Sequence, residues 1–165
     1  MCGIIGFVGN EPAAPILLDG LERMEYRGYD SAGVAVRSET AGLQVRKTKG
    51  RLQVLSDLIH GGADLEGNLG IGHTRWATHG EPNDINAHPH VSENGRIALV
   101  HNGIIENYLE IKEHLMRQGV HFTSDTDTEV VAQLLEFHYN ECHNMLEAVG
   151  RCLRRIEGSY AFRSE

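Results

Sequence analysis

Hydrophobic and polar positions follow two different periods along the chain, and each period predicts its own kind of element. Short apolar runs bounded by turn residues predict strands over 3–8, 32–37, 43–49, 69–76, 97–101 and 158–162. Apolar residues at three- and four-residue spacing predict helices over 13–26, 52–59, 108–116, 130–138 and 145–156. Because several links are short and hairpin-like, we expect mostly antiparallel pairing and an α+β fold in which helices cover the sheets.

A polar stretch broken by proline, residues 78–95, separates two of the predicted strands. Loops of this length without regular structure are uncommon in compact domains and are usually functional between buried strands. We therefore expect part of a functional site here. The chain stops shortly after its last predicted strand, so we also expect a truncated domain.

Composition and charge narrow the class of protein. The chain has 165 residues, of which 41% are apolar and 23% charged, and this suits one globular domain with a buried core. A net charge of −8 argues against binding to nucleic acid or to an anionic membrane. No apolar run reaches the roughly 20 residues of a membrane span. The start lacks a basic signal flank and the three cysteines suggest a reducing compartment, so we expect a cytoplasmic protein.

Cys2 is the first candidate for chemistry. If Met1 is removed, Cys2 carries a thiol and a free α-amine on one residue, with ordinary pKa values of about 8.5 and 7.7 to 8.0. A nucleophile and a base would then share one Cα, as in hydrolases whose N-terminal amine activates the nucleophile. The alternative is a cysteine that is simply buried at the start of a strand.

A second candidate is the polar segment His-Thr-Arg-Trp-Ala-Thr-His-Gly at 73–80, where a predicted strand runs into the long loop. The planar fork of donors on Arg75 suits a carboxylate, and Thr78 adds a hydroxyl. The alternative is an internal salt bridge with a helix or turn cap.

Two further motifs follow downstream. Asn102-Gly103 comes after an apolar run, where Asn-Gly usually forms a hairpin turn but could also supply two donors to an oxyanion. Thr126 and Glu129 match a capping box that opens the next helix. Asp127 lies inside that box, and it could hold a ligand ammonium while the cap forms.

The chain is rich in histidine, and His79, His88, His90 and His101 fall close together. No Cys-x-x-Cys or His-Glu-x-x-His pattern accompanies them, and the early glycines do not match Gly-x-Gly-x-x-Gly. We therefore expect neither a metal nor a cofactor. A thiol nucleophile, an arginine for a carboxylate, an aspartate for an ammonium and an oxyanion hole together suit an α-amino acid with an acylated side chain, such as glutamine.

Six motifs, taken together and in order, resemble one known family. They are Met-Cys-Gly-Ile-Ile-Gly at 1–6, Glu-Tyr-Arg-Gly-Tyr-Asp-Ser-Ala-Gly at 25–33, His-Thr-Arg-Trp-Ala-Thr-His-Gly-Glu-Pro at 73–82, Asn-Ala-His-Pro-His at 86–90, His-Asn-Gly-Ile-Ile-Glu-Asn at 101–107 and Thr-Asp-Thr-Glu at 126–129. The chain thus resembles the glutaminase domains of the glucosamine-6-phosphate synthase family, the glutamine:fructose-6-phosphate aminotransferases. These are class II glutamine amidotransferases and N-terminal nucleophile hydrolases, so the resemblance implies a four-layer αββα sandwich.

The resemblance also implies a role for each matching residue. Cys2 would attack the glutamine amide, and Asn102 with Gly103 would form the oxyanion hole. Arg75 would hold the substrate carboxylate and Asp127 its ammonium. The remaining matches are Trp76, Thr78 and His79 on a loop that closes over glutamine, and Arg27 and Gly28 beside the nucleophile.

The same resemblance implies partners that this chain does not contain. Residues 1–165 would be an incomplete glutaminase domain, and its ammonia would pass to a C-terminal sugar isomerase domain that binds fructose 6-phosphate. The full-length chain would form a homo-oligomer. Two alternatives stay open: a module that binds glutamine without turnover, and the glutaminase domain of another class II amidotransferase. Amidotransferases of the amidophosphoribosyl kind typically have Gln-Asp where this chain has Tyr29-Asp30.

Overall fold

The computed structural model describes residues 2–25, 29–76 and 83–164. The strands are β1 (Gly3–Val8), β2 (Ser31–Ser38), β3 (Gly42–Lys49), β4 (Leu69–Arg75), β5 (His90–Val91), β6 (Ala98–Ile105) and β7 (Gly158–Ser164). The helices are α1 (Ala13–Met24), α2 (Leu52–Leu58), α3 (Tyr108–Arg117), α4 (Asp127–Cys142) and α5 (Met145–Leu153), with one 3₁₀ turn at His60–Gly62. Within these ranges no helix combines the length and apolar character needed to cross a bilayer.

Two antiparallel sheets form the centre of the molecule. The first has the strand order β1-β4-β2-β3 and the second β5-β6-β7. One apolar cluster joins the first sheet to α1 and α2, and another joins the second sheet to α3, α4 and α5. A smaller third cluster lies between the two sheets. The order of layers is therefore helix, sheet, sheet, helix, which confirms the predicted α+β sandwich.

The alternation of side chains along the strands explains this layering. In β2, Val34 and Val36 pack against the first helix layer, whereas Ala35 between them faces the second sheet. In β6, Leu99 packs under the second helix layer while Ala98 and Val100 face the first sheet. Each central strand thus has two buried faces, which is why its sequence reads as a continuous apolar run.

Of the two alternatives for Asn102-Gly103, the hairpin turn is wrong. Strand β6 runs through both residues to Ile105, and Gly103 pairs with Tyr160 of β7. Gly103 has φ +138°, and a Cβ there would lie 2.2 Å from the carbonyl oxygen of Ser159. The glycine therefore permits a close approach of two strands, whereas the sequence pattern is typical of a turn.

Other differences concern the boundaries of elements. The stretch predicted as an unbroken loop contains the short strand β5, which pairs with Leu99 and Ala98 of β6. Helix α4 begins at Asp127, directly after the predicted cap Thr126 and three residues before the first position of its apolar stripe. Helix α5 ends at Leu153, before the predicted end.

The cap of α4 is a modified capping box. Thr126 Oγ1 accepts the backbone N–H of Glu129 at 3.3 Å, as predicted. The Glu129 carboxylate reaches further back than a standard box, since it accepts the backbone N–H groups of Thr123 at 2.8 Å and Ser124 at 2.6 Å. Both hydroxyls of these residues also donate to it. We call Thr123, Ser124, Thr126 and Glu129 the Glu129 cluster.

Candidate active site

A cavity of about 350 Å³ opens between the two sheets, at the end of β4 and beside the first turn of α4. We call it the inter-sheet cavity. It is lined by Cys2, His73, Arg75, Trp76, His88, His101, Asn102, Gly103, Ile104, Thr126, Asp127 and Thr128. The structure therefore brings together six residues that the sequence singled out from four distant motifs: Cys2, Arg75, Trp76, Asn102, Gly103 and Asp127.

Cys2 lies immediately before β1 and faces the end of β4. The backbone N–H of Trp76 donates to Cys2 Sγ at 3.2 Å. The thiol is a half-buried free cysteine rather than a core residue. Its position on the wall of a cavity does not support the alternative of a simply buried cysteine.

Asn102 bridges the two sheets next to Cys2. Its side-chain Nδ2 donates to the backbone oxygen of Cys2 at 2.9 Å, and its Oδ1 lies 2.9 Å from His73 Nε2. Strand alternation places Asn102 on the same face of β6 as Val100, which is the face toward the first sheet. Asn102 therefore lies at the seam between the sheets, in contact with the backbone of the candidate nucleophile.

Arg75 and Asp127 approach the cavity from different elements. Arg75 is the last residue of β4 and only 6% exposed. Asp127 is the first residue of α4, and its Oδ2 accepts the backbone N–H of Ile105 at 2.8 Å. Trp76 follows β4 with half of its surface exposed. A cation and an anion thus lie on one cavity, which suits a zwitterionic ligand.

Three buried histidines line the cavity, His73, His88 and His101, and a fourth, His90, packs against His88. The motifs assigned none of them a part in binding glutamine or in the oxyanion hole. Burial lowers the pKa of His73 to about 4 and lowers the pKa of His88 and His90 well below the usual range. Burial also lowers the pKa of His101, although the charge of Asp127 opposes the shift. All four rings are therefore neutral at pH 7. A sequence signal did exist, because His73 shares a strand face with Arg75 and His101 adjoins Asn102.

The segment between β4 and β5 is described from residue 83 onward, and this part packs beside the site. Lys47 Nζ donates to the backbone oxygens of Ile85 at 2.9 Å and Ala87 at 2.8 Å. Desolvation lowers the pKa of Lys47 to about 8, although Glu129 and Asp84 favour its charged form. A Cβ at Gly33 would lie 2.1 Å from the backbone oxygen of His88, so this glycine lets the segment approach β2. The segment thereby delivers His88 to the cavity.

Some predicted site residues lie outside the described residues: Met1, Arg27, Gly28, Thr78 and His79. Within residues 2–25, 29–76 and 83–164, no three His, Cys, Asp or Glu side chains are arranged to hold a metal ion.

Comparison with models of protein families shows to which family the chain belongs. A model described as a glutamine amidotransferase domain matches residues 40–163, which is most of the chain. The chain belongs to the glutamine amidotransferase domain family. This confirms the predicted family at the level of the domain.

Curated relatives of this amidotransferase domain are similar over nearly its whole length. It is 58% identical over 161 residues to a glutamine–fructose-6-phosphate aminotransferase (isomerizing) from Caldanaerobacter subterraneus subsp. tengcongensis and to one from Thermus thermophilus. It is 54% identical over 162 residues to the protein of that name from Aquifex aeolicus. These alignments cover 98% of the chain but only 26% to 27% of each relative, so the chain spans about a quarter of their length.

Solved structures of amidotransferases share the fold. A glutamine phosphoribosylpyrophosphate amidotransferase from B. subtilis, complexed with ADP and GMP, superimposes with a TM-score of 0.83 at 28% identity. A structure described as the allosteric regulatory enzyme of purine biosynthesis gives a TM-score of 0.85 at 28% identity. Both matches cover all of this amidotransferase domain and 35% of the other chain.

Proposed function

We propose that this domain hydrolyses L-glutamine to glutamate and ammonia through a γ-glutamyl thioester on Cys2. The observation that carries the proposal is the inter-sheet cavity, where a half-exposed thiol, an arginine, an aspartate and an Asn-Gly pair from four distant motifs meet. A reaction that needs a nucleophile, two charge contacts and an oxyanion hole requires this combination in one place.

The charges on the cavity favour an α-amino acid. Arg75 would bind the α-carboxylate through its paired N–H donors. Asp127 would accept from the α-ammonium. Its Oδ2 already accepts from Ile105, whereas among the described residues Oδ1 has only a long 3.5 Å contact with the Thr128 hydroxyl. Trp76 would cover the side chain of the substrate, together with Thr78 and His79 from the same motif. Arg27 and Gly28 would support the nucleophile.

The chemistry then has two stages. The Cys2 sulfur attacks the side-chain amide carbon of glutamine while the α-amine of Cys2 takes the thiol proton. The C–N bond breaks, the amine returns its proton to the leaving nitrogen, and ammonia departs. Water adds to the thioester with the amine as base, which releases glutamate and restores the thiol. In both stages Asn102 Nδ2 and the Gly103 backbone N–H would donate to the developing oxyanion.

The names of the relatives support a wider role for the longer protein. We propose that ammonia from this domain serves the synthesis of glucosamine 6-phosphate from fructose 6-phosphate, on a C-terminal sugar isomerase domain outside residues 1–165. We propose no cofactor for the glutaminase step, because the nucleophile and base both come from Cys2. A homo-oligomeric full-length protein remains part of this proposal.

Two other functions make different predictions. A module that binds glutamine without turnover would need no thiol on the cavity wall. A different class II amidotransferase would hydrolyse glutamine equally well but would pass ammonia to another acceptor. The 58% identity to glutamine–fructose-6-phosphate aminotransferases, against 28% to the phosphoribosylpyrophosphate amidotransferase, supports fructose 6-phosphate as the acceptor.

Glutamate release and the acyl-enzyme test the proposal directly. Purified protein containing this domain is mixed with glutamine, quenched in acid and examined by intact-mass spectrometry. A γ-glutamyl adduct on Cys2 with release of glutamate is expected, and Cys2→Ala should abolish both. Cys142→Ala is the matched control, because Cys142 is also a half-buried free thiol but lies outside the cavity. Tight glutamine binding without adduct or glutamate would favour the binding module.

Retention of Met1 tests the identity of the base. With Met1 attached, the nitrogen of Cys2 is an amide that cannot accept the thiol proton, so the form that retains Met1 should be inactive. Methionine aminopeptidase should restore glutamate release in proportion to the fraction of Cys2 N-termini. Equal rates before and after processing would show that another group acts as the base.

A further inference from the structure

The side chain of Asn102 is held at both ends, and the residue at its oxygen end has no role in the mechanism above. We propose that His73 is a positioning residue for glutamine hydrolysis: its Nε2–H holds the Asn102 amide oxygen and thereby keeps the NH₂ end directed at Cys2. The inference rests on the proposed function, because it concerns the same oxyanion hole.

An asparagine amide has two ends of nearly equal size and opposite hydrogen-bonding character. With Nδ2 toward Cys2, the group donates to the Cys2 backbone oxygen at 2.9 Å and can donate its second hydrogen to an oxyanion. Rotation by half a turn would direct Oδ1 at the Cys2 oxygen and at the oxyanion. That state would repel the intermediate, so the rate depends on a preference for one orientation.

The Cys2 backbone oxygen, which can only accept, gives part of that preference, and His73 adds to it. Its Nε2 lies 2.9 Å from Asn102 Oδ1, and an amide oxygen can only accept, so Nε2 must carry the hydrogen. Burial keeps the pKa of His73 at about 4, so at pH 7 the ring is neutral and has a single N–H to give. With that hydrogen on Nε2, the rotated amide would present an N–H to another N–H.

The ring of His73 is itself fixed in place. It stacks on His88 with centroids 4.2 Å apart and planes at 20°. The backbone N–H of His101 donates to His88 Nδ1 at 3.3 Å, so the neutral His88 carries its hydrogen on Nε2, 3.5 Å from Thr128 Oγ1. Thr128 Oγ1 also lies 3.0 Å from His101 Nδ1. The first turn of α4 therefore braces the ring that orients Asn102.

Kinetics of His73 variants test the proposal in the protein that contains this domain. His73→Leu removes the donor and should lower kcat about tenfold to a hundredfold, less than removal of Asn102 itself, with KM for glutamine changed no more than about twofold. His73→Gln places an amide N–H near the position of Nε2 and should recover most of the rate. The matched control His121→Leu alters an exposed histidine that pairs with Glu93 outside the cavity, and it should leave both constants unchanged.

A double-mutant comparison separates positioning from a general structural role. In the His73→Leu background, Asn102→Ala should cost at least tenfold less in kcat than in the parent protein, because the misoriented amide contributes little. Trp76→Ala changes a half-exposed side chain that lines the same cavity, and its effect should be the same in both backgrounds. Additive effects of His73→Leu and Asn102→Ala would overturn the proposal.

Nitrogen NMR of the unsubstituted protein gives a readout that needs neither a folded variant nor activity. ¹⁵N shifts of His73 at pH 7 should show a neutral ring with its hydrogen on Nε2, coupled across the bond to Asn102. A ring protonated on Nδ1 alone, or a charged ring, would overturn the inference. If the parent protein releases no glutamate, the proposed function fails. If it does and His73→Leu matches it, only the positioning role fails.

Discussion

Two groups of polar side chains meet at the start of α4. In one group the hydrogen-bonding capacity is used up within the chain, and in the other part of it remains open toward a cavity. On one side, the Glu129 carboxylate receives four hydrogen bonds, all from Thr123 and Ser124. On the other side, in the part of the chain that the structure describes, His101 Nε2 is buried with no hydrogen-bond partner, and Asp127 lines a cavity. Glu129 belongs to the first group and Asp127 to the second, although only two positions separate them in the sequence.

Within one motif, this difference separates the residues that stabilise the fold from those that we propose bind the substrate. A carboxylate with all its lone pairs occupied by its own chain cannot bind a ligand, because any new contact would replace an existing bond. A polar group that faces a cavity keeps its capacity for a substrate. Substitutions in the Glu129 cluster should therefore change stability, and substitutions on the inter-sheet cavity should change activity.

The largest expected effect concerns Asn102. Asn102→Ala should lower kcat by about 10² to 10³, or roughly 3 to 4 kcal/mol, because it removes the donor that we propose acts on the developing oxyanion. KM should change little, and the free energy of unfolding should fall by only about 1 kcal/mol, since the bonds to Cys2 and His73 are partly exposed. Steady-state kinetics and urea unfolding measure the two. A change in KM alone would exclude a role in the oxyanion hole.

The opposite pattern is expected for Glu129. Glu129→Ala leaves two donors at buried Ser124 without an acceptor and exposes two at Thr123 to water, which should cost about 3 kcal/mol of unfolding free energy. Below the unfolding transition, kcat per folded molecule should change less than about threefold. Glu110→Ala is the matched control, because Glu110 occupies the same third position in α3 but is exposed. Equal losses for the two variants would remove the distinction between the groups.

A smaller effect is expected for the charge contacts. Arg75→Ala should weaken glutamine binding by about 1.5 to 3 kcal/mol, because a hydrogen-bonded charge in a closed site loses its partner. Binding of a glutamine analogue without the α-carboxylate should be affected much less. Isothermal titration with Cys2→Ala protein isolates binding from turnover. Equal losses for both ligands would show that Arg75 does not bind the carboxylate.

The smallest expected effect is on stability against pH. His73 has a folded pKa of about 4 and an ordinary value of 6.5, so between these values the unfolded chain binds a proton that the native state does not. Stability is therefore complete above pH 6.5 and falls on acidification, by about 2 kcal/mol at pH 5 from this group. Urea unfolding at pH 7 and pH 5 measures the loss. In His73→Gln the loss should be smaller by that amount, and an identical loss would contradict the assignment.

Much of the fold was accessible from the sequence because each element has a strong local pattern. The apolar run at 3–8 and the spaced leucines of α1 are strand and helix in the structure as predicted. Thr126 and Glu129 marked the start of α4, although not its full length. These features depend on residues near one another in the chain, which is the range that periodicity and capping report.

Features that depend on distant partners were missed or misread. Asn102-Gly103 has the local signature of a turn, and only its pairing with β7 makes it part of a strand. β5 is too short to have a period of its own and exists because β6 lies beside it. The role that we propose for His73 arises from Asn102, which is far away in sequence. The assignments of the remaining site residues stay predictions until the kinetics above are measured.

Strand β6 serves two layers at once, since Asn102 faces the seam between the sheets while His101 faces α4. A slip of one residue in its pairing would exchange these faces and would also move a residue with a Cβ into the place of Gly103, against the Ser159 oxygen. Such a molecule would lose the contact between Asn102 and Cys2 and would also suffer a backbone clash. The glycine therefore opposes this mispairing of β6 with β7, so one residue sets both the register of the second sheet and the face on which Asn102 lies.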